Sequence, residues 1–426
     1  MNERLFIESF FPENGLADPH ALVEGDDIYV ICGHDESPYT IDTWRMDKWI
    51  ILKSNNLIDW KQVGEILPTD TYIGDEPNCW AGNLKKKNDK YYWFFSNKFH
   101  NIGVLVADKP EGPYIDVLGH PLVDKNNAIG TTPYDPVVYY EGDDWYIVFG
   151  AGKYMIAKLA DDLLSLDSEP QFLEMLDENG NHVRTGDKPS LFKRNDLYYL
   201  VSGGRYGISK NLFGPYKYQG YFAPNSNEHN DFFIYKGKDY MTCEFPETSF
   251  FYRGVGIVEI QFNEDCTIKD PKIHKLNERK WKFEYSTRGY HALNGTTLEW
   301  VSNSKSIKGV IHEKEATIES PIWPAGITFK ENPEIELKLK NQTDATQLEL
   351  IIATVDRNTP NRLKYPEIDW NEAISIIVDI APNSNDFLSY IVKLEGLGNQ
   401  HLKRFRIKPA KNADTGEFYI SEINIL

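Results

Sequence analysis

Three aspartates, an indole and an imidazole stand at the head of a pattern that recurs along this chain: Asp18, Trp80, Asp135, Asp187 and His229. Each precedes an apolar run, a short turn of charged residues or glycine, and an aromatic-rich strand. Carboxyls, a flat aromatic face and a titratable ring around one cavity are the toolkit for a sugar: acid, base, orienting group and stacking platform. Glycosidic cleavage needs one carboxyl to protonate the leaving oxygen and a second to activate water or attack, and their separation decides between inversion and retention. Each residue alone also has a plain structural reading. Asp-Pro is a turn signal, because Asp accepts local backbone hydrogen bonds and Pro presets φ. Trp80 suits a core, and His229 suits a satisfied buried ring. An acid at the head of three copies out of five is what points to convergence on a site.

The repeat supplies the elements that must position these groups. Asp18-Pro19 leads through the turn Glu24-Gly25-Asp26-Asp27 into Ile28-Tyr29-Val30-Ile31, and Asp135-Pro136 leads through Glu141-Gly142-Asp143-Asp144 into Trp145-Tyr146-Ile147-Val148. The copies headed by Trp80, Asp187 and His229 turn at Lys87–Lys90, Arg194–Asp196 and Lys236–Lys238. Gaps of 62, 55, 52 and 42 residues between openings suit four short strands each, the period of a propeller blade. Gly, Asn and Asp at the turns accept the positive φ of tight hairpins. The innermost strand of each blade lines a central channel, so the five opening residues are expected to converge there. The repeat fades after Asn263–Ile268, and a Lys-rich stretch from Lys269 to Lys282 reads as a linker. Beyond it, runs such as Glu334–Lys340 and Gln347–Ile352 alternate with period two. The predicted fold is all-β: a five-bladed β-propeller over residues 1–274, then a jelly-roll-like β-sandwich over 275–426.

Lys and Arg number 46 against 64 Asp and Glu, a net charge of −18 that repels phosphate backbones and anionic membrane surfaces. Nucleic acid and membrane are therefore not expected partners. No run of 18 apolar residues occurs, and Met1–Phe11 lacks the basic and long apolar regions of a secretory leader. The expectation is a soluble protein, periplasmic or secreted where a leader has been trimmed. Cys32, Cys79, Cys243 and Cys266 show no CxxC pair or metal spacing and read as buried free thiols.

Ala17-Asp18-Pro19, Trp80-Ala81, Tyr134-Asp135-Pro136, Asp187-Lys188-Pro189 before a Tyr-Tyr-Leu strand, His229 before Phe232-Phe233, and Tyr252-Arg253 before Ile260–Asn263 together resemble glycoside hydrolase family 43. The resemblance spans roughly residues 10 to 270. It implies an inverting glycosidase in which Asp18 is the general base, Asp135 tunes and orients the acid, and Asp187 is the acid. The family pattern at the acid is Glu-Gly-Pro, whereas this chain has Asp187-Lys188-Pro189, one methylene shorter and beside a cation that would lower the acid's pKa if it pointed inward. Glu228 and Glu244 are alternative acids. The resemblance places His229 in the central channel with room for a structural calcium, asks for no cofactor and no catalytic metal, and sets Arg253 near the site, where a surface ion pair is the other reading. His34 and Trp44, in the segment Gly33–Trp49 after the first hairpin, are expected to wall the pocket and bind substrate with Trp80, His229 and Arg253, although blade packing accounts for that segment equally well.

The predicted function is release of xylose or arabinofuranose from plant or algal oligosaccharide or polysaccharide. A galactoside or another marine-polymer sugar, and a non-hydrolytic sugar-binding propeller, are the alternatives left by the shortened acid.

Overall fold

The computed structural model describes residues 15–36, 43–57, 59–222, 229–249, 251–271, 280–283, 287, 290–320, 327–355, 368–398 and 400–426. The chain divides into two compact units, the first within residues 1–274 and the second built around 275–426.

The first unit is a five-bladed propeller of antiparallel hairpins. Blade one comprises β1 (Leu16–Glu24), β2 (Asp27–Asp35), β3 (Met46–Ser54) and β4 (Lys61–Ile66), hydrogen-bonded in chain order. Blade two comprises β5 (Cys79–Lys87), β6 (Lys90–Asn97) and β7 (Asn101–Ala107), with its outer edge reduced to single bridges such as Val106 with Ile115. Blade three holds β8 (Val137–Glu141), β9 (Asp144–Phe149), β10 (Tyr154–Leu159) and β11 (Gln171–Leu173). Blade four holds β12 (Met175–Leu176), β13 (Pro189–Arg194), β14 (Leu197–Ser202), β15 (Arg205–Ser209) and β16 (Tyr216–Tyr221). Here the preceding chain adds β12 parallel to β16. Blade five holds β17 (Phe232–Tyr235), β18 (Lys238–Ser249) and β19 (Tyr252–Glu259). Turn chemistry follows the sequence: Gly25, Gly142 and Gly237 take positive φ, as do Asn88 and Asn195.

Five apolar clusters lie between successive blades and close the ring. Trp49 and Ile51 of blade one meet Trp93 and Phe95 of blade two, and Phe94 of blade two meets Ile147 and Phe149 of blade three. Val148 and Ile156 meet Leu200, Tyr199 and Val201 meet Met241, and Val255 and Ile257 return to Val30 and Leu16. Adjacent residues of one strand thus enter different interfaces, so inner strands are apolar on both faces. Gly82 belongs to this packing, since a Cβ there would lie 2.4 Å from the Trp93 ring and 2.5 Å from the Phe94 carbonyl. The segment read as a possible pocket wall is largely blade: Met46–Trp49 opens β3, and Trp49 is core.

Side chains on the innermost strands stitch each blade to the next. His20 accepts the Leu84 N–H, Asn83 accepts that of Val138, Ser190 donates to the Asn230 carbonyl, and Asp231 accepts the Ala21 N–H. These bonds satisfy backbone groups beside the channel that no ladder partner reaches.

The second unit is a sandwich of two six-stranded sheets. One orders Thr296–Val301, Ser306–Ile311, Gly416–Ile425, Glu334–Gln342 and Leu388–Lys393, with Lys280–Lys282 also paired to Gly416–Ile425. The other orders His291–Asn294, Thr317–Glu319, His401–Lys408, Gln347–Val355 and Ile374–Asp379, with Ile327–Thr328 on His401–Lys408. Both contribute to one core, including Ile335, Leu337 and Phe418 from the first and Leu350, Phe405 and Ile407 from the second. All four cysteines are free, and Cys266 is only half-buried where a buried thiol was expected. No helix among the described residues is long and apolar enough to cross a membrane.

Candidate active site

The channel end that carries the chemistry is built on three openings with one shared geometry. Asp18, Asp135 and Lys188 each precede a proline and each hold a left-handed backbone, with φ of 53°, 54° and 27°. In each case the backbone N–H is received by a side chain of the preceding blade. Glu244 Oε2 takes that of Asp18 at 2.9 Å, Ser96 Oγ that of Asp135 at 2.8 Å, and Asp135 Oδ2 that of Lys188 at 2.9 Å. The acid was expected at one equivalent position in three blades. The structure corrects this: the blade-four equivalent of Asp18 and Asp135 is Lys188, and Asp187 stands one residue before it. A register read from the Asp residues alone misses the shift, which the following prolines mark.

Asp18 and Asp135 are buried, whereas the Asp187 side chain is 32% exposed. His229 stands between Asp18 and Asp187, with Nδ1 3.1 Å from Asp18 Oδ1 and Nε2 3.9 Å from Asp187 Oδ1. The Asp187 carbonyl is held by the Tyr154 hydroxyl at 2.5 Å. Arg253 is fully enclosed. Its Nε and Nη2 grip Asp35 at 3.0 and 2.9 Å, its backbone N–H adds a third bond to Asp35, and Nη1 reaches Asp18 at 3.2 Å and Glu244 at 3.3 Å. A surface ion pair was one reading of Arg253, and its burial rules that out. It is committed to three carboxylates and holds Asp18 in place.

The electrostatics separate the carboxyls. Burial works to raise the pKa of Asp18, but the charges of His229, Arg253 and Lys188 outweigh it and hold this carboxyl below the usual range. Burial pushes Asp135 up, with Asp18 adding to the effect, and burial likewise raises Glu244. His229 loses by burial but gains more from Asp18, Glu244, Asp135 and Asp187, which lift it to about 9. An ionised Asp18 beside an imidazolium is suited to accepting a proton from water.

Trp80 lies beside the blade-one and blade-two cluster, its ring edge-on to Phe99 at 6.1 Å, and Lys98 Nζ is 5.9 Å from its centroid. Phe99 is 48% exposed, so the pair offers an accessible aromatic face at the head of blade two. The Trp44 ring lies 5.7 Å from the Arg253 guanidinium. His34 is tied to Asp47 at 2.5 Å and does not join the carboxylate cluster. Asp35 and Glu244 carry much of the site's geometry through Arg253 and Asp18, and a charged residue inside or ending an apolar strand is the sequence signal for both. Glu228 lies outside the described residues.

Two sets of ligand-type atoms gather within 4.8 Å of one another, Asp18 with His229 and Glu244, and Asp135 with Asp187 and His229. Calcium takes roughly six to eight oxygens. Each set offers two carboxylates and a ring nitrogen, and Asp18 and Glu244 already face Arg253. The fit to a divalent ion is poor.

A family model of glycosyl hydrolases family 43 matches residues 12–268. A xylosidase/arabinosidase of Bacteroides ovatus is 27% identical over 60% of this chain and 95% of its own length. The calcium-free structure of a β-xylosidase/α-arabinofuranosidase from a compost metagenome, in complex with xylotriose, is 22% identical with a TM-score of 0.56, over 62% of this chain and 96% of that one. An arabinoxylan arabinofuranohydrolase of Bacillus subtilis, in complex with cellotetraose, covers 99% of both chains at 16% identity and a TM-score of 0.52. With the family match reaching across more than half of its length and over all five blades, this chain belongs to glycosyl hydrolases family 43 and is a glycosidase.

Proposed function

We propose that this protein is an inverting, exo-acting glycosidase that releases xylose or arabinofuranose from plant or algal oligosaccharide or polysaccharide. The observation that carries the reading is the pairing of a buried carboxylate held ionised, Asp18, with a half-exposed carboxyl, Asp187, on opposite sides of one imidazole. Asp18 takes a proton from water as the water oxygen bonds to the anomeric carbon. Asp187 gives its proton to the glycosidic oxygen as that bond breaks, so the sugar leaves with inverted configuration. Asp135, fixed by Ser96 and by the Lys188 N–H, orients the acid. Trp80 and Phe99 supply the apolar platform for a sugar face. The names of the relatives support the pentose.

The test is hydrolysis of nitrophenyl β-D-xyloside, α-L-arabinofuranoside and galactoside series, with the first-formed anomer read by proton NMR. Turnover of a pentoside with inversion, lost in Asp18→Asn and kept in Asp187→Glu, is the expected result. Retention of configuration, or full activity in Asp18→Asn, defeats the mechanism. Turnover confined to galactosides reassigns the sugar.

A further inference from the structure

The position at which blades one and three present Asp18 and Asp135 is filled in blade four by a lysine. Lys188 shares their left-handed backbone, their following proline and the capture of its N–H by the preceding blade. Glycine favours that backbone region, so a lysine found there is held by its surroundings. Its side chain is 1% exposed, and Nζ donates to the Gly82 carbonyl of blade two at 2.8 Å. Blades two and four are not neighbours in a five-membered ring. The side chain therefore runs through the central channel, and its ammonium lies inside.

The channel has a surplus of anions. Asp18, Asp35, Asp135 and Glu244 are buried and Asp187 is half-buried; Arg253 and His229 pair with Asp18, Asp35, Glu244 and Asp187, and the Lys188 charge acts on Asp18 and Asp135 without a direct ion pair. Carboxylates taken from water need compensating positive charge, whether from the protein or from a bound ion. In the two clusters where a divalent ion would sit, Asp18 and Glu244 face Arg253, Asp18 also faces His229, and Asp135 accepts the Lys188 N–H. We propose that Lys188 is a tethered channel cation, an ammonium that takes the place of a divalent ion in offsetting the buried carboxylates and so positions Asp18 and Asp135 for the hydrolysis.

The experiment is calorimetric titration of calcium chloride into EDTA-treated wild type, Lys188→Met and Lys188→Gln, with kcat and KM measured with and without calcium. Wild type is expected to bind no calcium and to be indifferent to EDTA. Both variants are expected to bind one ion per chain. Their kcat should fall on the order of 10²-fold with KM little changed, and calcium should restore part of it. Glutamine can still bond the Gly82 carbonyl, so a Lys188→Gln enzyme with wild-type kcat would show that a neutral strut suffices and would overturn the proposal. Stoichiometric calcium on wild type, or no calcium on either folded variant, overturns it as well. If Lys188→Met fails to fold, the glutamine variant and the wild-type titration decide. The kinetic arm rests on the pentosidase reading and the calorimetric arm does not. A wild type inert on every glycoside, with the expected calcium pattern, defeats that reading alone.

Discussion

The sandwich and the propeller use strands in opposite ways. In the sandwich strand Glu334–Gln342, Ile335, Leu337 and Leu339 are fully buried while Glu336, Lys338 and Lys340 point outward. One face makes the core and the other meets solvent, so the sequence alternates. In the propeller, Phe94 and Phe95 are both fully buried, as are Ile147 and Val148, because each neighbour serves a different blade interface. The sandwich hides its apolar side chains in one layer. The propeller hides both faces of its inner strands, and its channel encloses a connected group of polar side chains; the sandwich encloses a smaller one, Glu319 with Arg404 and Arg406. A charged residue on an inner strand is therefore enclosed at a cost and persists only with partners. That is why Asp18, Asp35, Glu244 and Arg253 form one connected group.

If the channel charges are functional rather than architectural, removing one should cost turnover before it costs folding. Asp18→Asn keeps shape and hydrogen-bonding capacity but removes the base, and its kcat is expected to fall on the order of 10⁴-fold with the circular dichroism of the wild type. Loss of fold in place of loss of rate would make Asp18 a core residue like those of the sandwich. The next largest effects set the two regions directly against each other. Asp35→Asn leaves the enclosed Arg253 short of its bidentate partner, and Phe405→Ala opens a cavity in the sandwich core. Each is expected to cost about 3–5 kcal/mol by chemical denaturation. Only Asp35→Asn should also lower kcat, because Arg253 connects it to Asp18. An unchanged kcat in that variant would separate the ion pair from the site.

The same contrast explains what could be read from the chain itself. Hairpin turns at Gly25, Gly142, Asn88 and Asn195 and the alternating runs of the sandwich are local signals, and they predict blades and sheets without tertiary knowledge. The convergence of Asp18, Asp135, Asp187 and His229 was legible because the repeat fixes which residue opens each blade. Register within that opening was not, since Asp187-Lys188-Pro189 offers an acid and a cation on adjacent residues and only the backbone shows that Lys188 is the equivalent one. Arg253 was legible as a site residue but not in its partners, because Asp35 lies in blade one, more than two hundred positions away. The pairing of His34 with Asp47 was not legible either, because it is set by the register of β2 against β3.

A smaller effect follows from His229, whose pKa is lifted to about 9 by the carboxylates around it. A ring that binds its proton more tightly when folded stabilises the fold fully below its unfolded value near 6.5, and the contribution is lost as pH rises through about 9. Wild type should therefore lose up to about 3 kcal/mol between pH 6.5 and 9.5 relative to His229→Asn, whose stability should be flatter over that window. Parallel curves for the two proteins would remove the imidazolium from the channel and weaken the account of how Asp18 stays ionised.

The smallest effect is expected from a second lysine, and it tests whether burial is what separates the two regions. Lys338 pairs with Glu422 at 3.1 Å on the outer face of a sandwich sheet, but its side chain is 40% exposed, and Glu422 is also held by Lys280 at 2.7 Å. Water and salt screen such a pair, and the lysine gives up side-chain freedom to make it, so Lys338→Ala should change stability by about 0.5 kcal/mol or less. The residual carboxylate keeps one partner, and no enclosed charge is left bare. A cost several times larger, measured by the same denaturation, would mean that ion pairs on the sandwich surface matter as much as those enclosed in the channel.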